Sequence, residues 1–214
     1  MKLPSPTLTG RHVQLEQLRT DHVDALVAAA NEDRSTYDWT AVPPTVEAMT
    51  AYVEGLLADQ EHGEAAPFVQ RRVADGALVG CTRYLRLEWW VDPTRVVGAG
   101  VSDPALPVEL EIGGTWLAAS AQRTPINTEA KLLLLRQAFD GWHVNRVAIC
   151  TDVRNTRSRA AIERIGATFE GVLRRHRGSY VAGEGARDSA MYSVIAEEWP
   201  AVEAGLMTRL GEPA

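Results

Sequence analysis

Cysteine is nearly absent from this chain: Cys81 and Cys150 are the only two. They form no paired spacing and no CxxC, so a disulfide framework and a zinc site are excluded, and no metal is expected. Long apolar runs are missing as well. No window approaches the ~18 consecutive apolar residues of a membrane span, so no membrane association is expected. Nor is there an excess of positive charge. The 22 Lys and Arg stand against 28 Asp and Glu, a net charge of -6, the wrong sign for general nucleic-acid binding. Residues 1–6 lack the apolar stretch of a secretory signal, which points to a cytoplasmic protein. No Gly-, Ser- or Pro-rich linker divides the chain, and no segment recurs at a solenoid period. A single domain over residues 1–214, with its core in about 8–200, is therefore expected.

What is present alternates between strand and helix patterns. Residues 12–18 alternate polar and apolar, as a half-buried strand does. Asp21 then stands as cap of a helix bearing Val23, Leu26, Val27 and Ala30, and Thr45 opens a second helix running through Leu57. Residues 67–73 and 77–85 flank Asp75-Gly76, a tight-turn dipeptide, and predict a hairpin. Residues 86–108 keep no period and predict a long loop, a feature usually functional when ordered. Beyond it, residues 109–118 read as a strand, 127–142 as a helix, 144–151 as a strand and 156–165 as a helix closed by Gly166. Strands 168–175 and 188–195 follow. Strand-helix-strand alternation implies a parallel pair, and the last hairpin closes a mixed α/β sheet.

Two strand-to-helix junctions concentrate the chemistry. At the first, period two puts Leu110, Ile112 and Trp116 on one face and the carboxylates of Glu109 and Glu111 on the other. Gly113-Gly114 inside a strand signals a bulge or a close approach. Asn127 or Thr128 caps the next helix, and its free N–H groups beside Arg123 outline an anion site. The second junction, residues 151–167, lies at the same sheet end if the strands are parallel neighbours, so both belong to one cleft.

The pieces Glu111-Ile112-Gly113, Thr128-Glu129-Ala130, Asn155-x-x-Ser158-x-x-Ala161, Ile165-Gly166-Ala167 and Tyr192-Ser193-Val194-Ile195, in this order, resemble the RimJ/RimL branch of the GNAT acetyltransferases. The resemblance implies a mixed sheet splayed between its central parallel strands and flanked by helices. Acetyl-CoA would lie in the splay and pass its acetyl group directly to a primary amine. It further implies that Trp116, Leu117, Arg123, Thr124, Asn127, Thr128, Asn155 and Ser158 contact acetyl-CoA. In the loop that cradles pyrophosphate, Gln122-x-x-Pro125-x-Asn127 departs from the family's glycine-rich pattern. Pro125 has no N–H, so Arg123 or the Asn127 side chain is expected to substitute.

Glu111 is the expected general base, since a lysine-type amine, whose ordinary pKa is ~10.4, is protonated at neutral pH and cannot attack a thioester. The alternative is a strand carboxylate paired with an arginine, with Glu109 in reserve as base and acceptor contact. Ser158 is the expected partner of the thiol, while Tyr192 is either an acid or core. Asn155 caps its helix in any reading. Trp89 and Trp90 either fold into the core or form an acceptor wall or homodimer contact. Arg157 or Arg159 could meet the CoA 3′-phosphate, and the basic run 173–177 could face an acidic acceptor or RNA. His143 and His176 read as structural. Neither cysteine has a placed base, which disfavours a covalent thiol route. The acceptor is a protein N-terminus or a small molecule such as an amine antibiotic or polyamine. A non-catalytic acyl-CoA-binding module is the rival class.

Overall fold

The computed structural model describes residue 3 and residues 5–89, 106–181 and 183–211. Its first half runs β1 (Leu8–Thr9), β2 (Val13–Gln17), α1 (Val23–Ala30), α2 (Val46–His62), β3 (Ala65–Arg72) and β4 (Leu78–Glu88). The second half runs β5 (Glu109–Leu117), α3 (Pro125–Arg136), β6 (Arg146–Asp152), α4 (Thr156–Ile165), β7 (Thr168–Gly178), β8 (Ala186–Ile195) and α5 (Trp199–Leu210).

Local chemistry fixes most of these boundaries. The Thr45 hydroxyl accepts from the Ala48 N–H at 3.2 Å, and Gly63 ends α2 in the left-handed region. Asn155 does the same for α4, accepting from the Ser158 N–H at 3.0 Å, and Gly166 closes it. Three expectations are corrected. Asp21 sits inside a 3-10 turn, Thr20–His22, and pairs with Arg19 at 3.0 Å; it does not cap α1. Helix α3 starts at Pro125, not at residue 127, and gives way after Arg136 to a π turn, Gln137–Gly141, before residue 142. Finally, β4 absorbs residues 86–88 of the expected loop, with Arg86 at φ 51 where the ladder slips. Residues 90–105, Trp90 included, lie outside the described residues.

The sheet has eight strands in the order β1-β2-β3-β4-β5-β6-β8-β7, antiparallel except where β5 lies parallel to β6. Alternate residues of β4 face different helices. Thr82 and Tyr84 turn to α3, where the Tyr84 hydroxyl donates to the Leu134 carbonyl at 2.6 Å. Arg83 and Leu85 instead line a cleft with Asp59 and His62 of α2. Helices α2 and α3 thus cover opposite faces. The core on the α3 side gathers Leu110, Ile112, Val147, Ile149, Tyr192 and Val194, all nearly without exposure.

Helix α3 is tied to the first hairpin by a buried carboxylate. Glu129 accepts the N–H groups of Arg11, His12 and Val13 at 2.8, 2.6 and 2.8 Å. Lys131, two residues on, is also buried and reaches Thr115 at 2.8 Å; burial pushes its pKa down to about 7.

Candidate active site

The ladder between β5 and β6 holds only for Glu109↔Arg146, Leu110↔Val147 and Glu111↔Ala148. Beyond those pairs the strands separate, which leaves backbone groups of β5 without a strand partner. Side chains take their place. The Leu117 carbonyl accepts from the Tyr37 hydroxyl and from Gln122 Nε2, both at 2.9 Å; at the opposite edge of β5, towards β4, the Trp116 carbonyl accepts from Gln70 Nε2 of β3 at 3.3 Å. Opposite β4 the register of β5 slips at Gly114, whose φ of 57 a residue with a side chain would reach only under strain. Gly80 is needed for a different reason, since a Cβ there would stand 2.1 Å from the Trp116 carbonyl oxygen.

Each diverging strand feeds a helix whose N-terminus faces the gap. For α3 the cap is Thr124, whose hydroxyl accepts from the Ile126 N–H at 3.4 Å. This corrects the expected cap at Asn127 or Thr128. Pro125 occupies the first helical position, where an N–H has no intrahelical acceptor to lose, so the proline leaves the helix end intact. The first-turn N–H of Asn127 remains available with the positive end of the helix. Arg123, at φ 60, precedes it. Asn127 and Thr128 line a crevice of about 400 Å³ with Ala161, Arg164 and Arg209. Neither of those arginines was singled out by sequence. The two expected to meet the CoA 3′-phosphate are engaged elsewhere: Arg157 donates to the Thr36 carbonyl, and Arg159 reaches the Tyr192 hydroxyl at 3.0 Å. The segment around Thr36 touches both walls of the gap, because Gln122 also bonds the Thr36 hydroxyl at 3.0 Å and Arg154 lies 4.3 Å over the Trp39 ring.

On the α2 side of the splay, charged side chains gather. Glu111, only 3% exposed, receives both terminal nitrogens of Arg177, the Oε1 contact at 2.9 Å. Arg86 stands 3.8 Å from its other oxygen, and the Cys150 thiol 3.6 Å from Oε1. Arg187 reaches that sulfur at 3.9 Å. Glu109 shares the face of Glu111 but is committed to Arg146 at 3.0 Å, which in turn grips Glu170. Trp89 lines the adjoining cleft of about 550 Å³ together with Arg83 and Arg86. Tyr192 lies in the core, its hydroxyl donating to Glu163 at 2.9 Å, so the core reading of that residue holds.

Both thiols are held protonated. Burial pushes Cys81 up to about 12 and, with Glu111 nearby, Cys150 up to about 11. Neither is a ready nucleophile at neutral pH.

Residues 12–168 match the family profile of the acetyltransferase (GNAT) domain. A segment of 86 residues is 42% identical to YdaF of Bacillus subtilis (strain 168), which carries a provisional name as a ribosomal N-acetyltransferase. That match covers 40% of this chain, and it spans less than half, 45%, of the relative's length. Among solved structures, a provisionally assigned acetyltransferase from T. thermophilus is 33% identical with a TM-score of 0.76, over 98% of this chain and 100% of its own. Mycobacterium smegmatis RimJ, solved in complex with CoA-disulfide, shares the fold at 24% identity and a TM-score of 0.71, over 94% of this chain and 91% of its own. With the domain profile matching most of its length, the chain belongs to the GNAT acetyltransferase family.

Proposed function

We propose that the chain is an N-acetyltransferase of the RimJ/RimL type that moves an acetyl group from acetyl-CoA to a primary amine by direct transfer. The observation that carries this reading is the splay. A parallel pair stops after three registers, and two helix N-termini face the gap. The fit to acetyl-CoA rests on chemistry found there. The first-turn N–H groups of α3 and the guanidinium groups of Arg164 and Arg209 suit phosphates. Asn155 and Ser158, in the first turn of the helix that follows β6, are the α4 residues proposed to meet acetyl-CoA. Acetyl-CoA supplies an activated thioester carbon. The acetyl C–S bond breaks and an N–C bond forms; of the two protons the ammonium gives up, one ends on the thiol and one in solvent. Glu111 is the carboxylate proposed to receive the ammonium, a role that requires the acceptor to displace Arg177 from its oxygens. The protonated state of Cys81 and Cys150 supports transfer in a ternary complex over a thiol relay. Pro125 at the first helical position leaves the helix end intact, which supports the catalytic reading over the non-catalytic one.

The reading is checked by calorimetry with acetyl-CoA, expected to bind one per chain and to raise Tm by mass action. Mass spectrometry of cell extract incubated with protein and acetyl-CoA then identifies the acetylated species. Absence of both heat and a Tm shift at millimolar acetyl-CoA would overturn it.

A further inference from the structure

Arg177 and Arg187 stand directly opposite each other across β7 and β8. Like charges at such a pair repel, and each needs an anion. Arg177 has Glu111. Arg187 is only 8% exposed, yet no carboxylate lies within ion-pair distance of it among the described residues. Its neighbours are the Cys150 sulfur and the Tyr180 ring, 5.4 Å from the guanidinium carbon to the ring centroid. Among the described residues its Nε has no partner, nor do Arg177 Nε and His176 Nδ1. The nearby carboxylate of Asp152 is already gripped by Arg154 at 2.8 Å. A buried, unpaired guanidinium is costly and is seldom left so without a ligand.

Resting on the acetyltransferase reading, we infer that the acceptor is an amine that also carries an anionic group, a carboxylate or a phosphate. Its ammonium goes to Glu111 and its anion to Arg187 and Arg177. A zwitterion of this kind matches the site twice over, because it offers Glu111 a cation in exchange for Arg177 and offers the two opposed arginines the negative charge they lack. Planar guanidinium forks suit both anions. The cluster adjoins the cleft lined by Trp89 through Arg86, which contacts both. The sequence signal was present: Arg187, Ser189 and Met191 share one face of β8, against Ala190, Tyr192 and Val194 on the other, which placed an arginine on the Glu111 side.

The experiment uses matched acceptors that differ only in the anion. One arm compares straight-chain ω-amino acids of two to five carbons with the corresponding amides, and 2-aminoethylphosphonate with ethylamine. The other compares peptides beginning with Asp and with Asn, which distinguishes a free metabolite from a protein N-terminus. The anionic member of at least one arm is expected to show kcat/KM about tenfold or more above its neutral partner, carried by KM. Arg187→Met brings that ratio towards one, and Arg187→Lys restores part of it. A turnover-independent readout follows Tm with the acid or its amide alone: the acid raises Tm in the wild-type protein and not in Arg187→Met. Neutral amines acetylated as well as acidic ones in both arms, or an unchanged ratio in Arg187→Met, would overturn the inference while leaving the acetyltransferase reading in place. Loss of acetyl-CoA binding itself would overturn that reading instead.

Discussion

The two sides of the splay are built from different materials. The side at the starts of α3 and α4 relies chiefly on helix caps and first-turn N–H groups, features local in sequence, to which packing adds Arg164 and Arg209. The cluster around Glu111 relies on side chains drawn from five strands: Glu111, Arg177 and Arg187 as charges from β5, β7 and β8, the neutral Cys150 from β6 and the more exposed Arg86 from β4. Backbone recognition tolerates many side chains and suits a ligand common to a whole family. Charged side chains brought together from distant segments suit a ligand particular to one member.

That contrast can be broken most forcefully from the α3 side. Glu129→Ala removes the acceptor of three N–H groups, of which that of Val13 is buried and those of Arg11 and His12 are part-buried, so a loss of about 3 kcal/mol is expected in a urea unfolding curve, most of it from Val13 at ~1–3 kcal/mol. The first hairpin should loosen with it, and a curve matching wild type would show the contact to be dispensable. Next in size, Glu111→Gln should lower turnover by ~10² at neutral pH. Acetyl-CoA affinity should hardly change, because the crevice is a separate structure. Equal losses in both would erase the distinction between the two sides. Asn155→Ala acts in the opposite sense: acetyl-CoA binding should weaken about tenfold, and the lost cap should cost ~1 kcal/mol, with little change in acceptor preference.

The smallest effect concerns pH. Lys131 is depressed from 10.5 to about 7 by burial. Between those values the unfolded chain holds a proton that the folded one has released, so stability rises with pH across the window. Replacing it by methionine removes the slope. Lys131→Met should therefore raise Tm by a few degrees at pH 7, with the gain shrinking towards pH 10.5. A gain independent of pH would mean that the lysine costs nothing through its charge.

The difference in materials also explains what could be read from the chain alone. Helix α4 was legible to the residue, because Asn155 and Gly166 are local signals that need no tertiary partner. The hairpin at Asp75-Gly76 was legible for the same reason. The start of α3 was missed, although proline at a first helical position was a usable sign and Thr124 stood just before it. The pairing of Glu111 with Arg177 was anticipated only as an alternative without a named partner, since the two lie 66 residues apart and nothing local links them. Arg164 and Arg209 were missed because only the packing of α4 and α5 brings them beside α3.

Three hydrogen-bonded registers are a slender seam for a sheet of eight strands. Each half carries its own antiparallel ladder, so amide protons in β3 and β4 and those in β6 and β8 are expected to exchange as two separate cooperative units. The seam between them is bridged by the segment that carries Thr36, Tyr37 and Trp39, anchored on both walls. A ligand seated in the gap would stitch the units together, and amides 112–117 and 149–152 should then slow as one set under hydrogen–deuterium exchange. The crease that opens the site is thereby also the place where occupancy is converted into rigidity of the whole sheet.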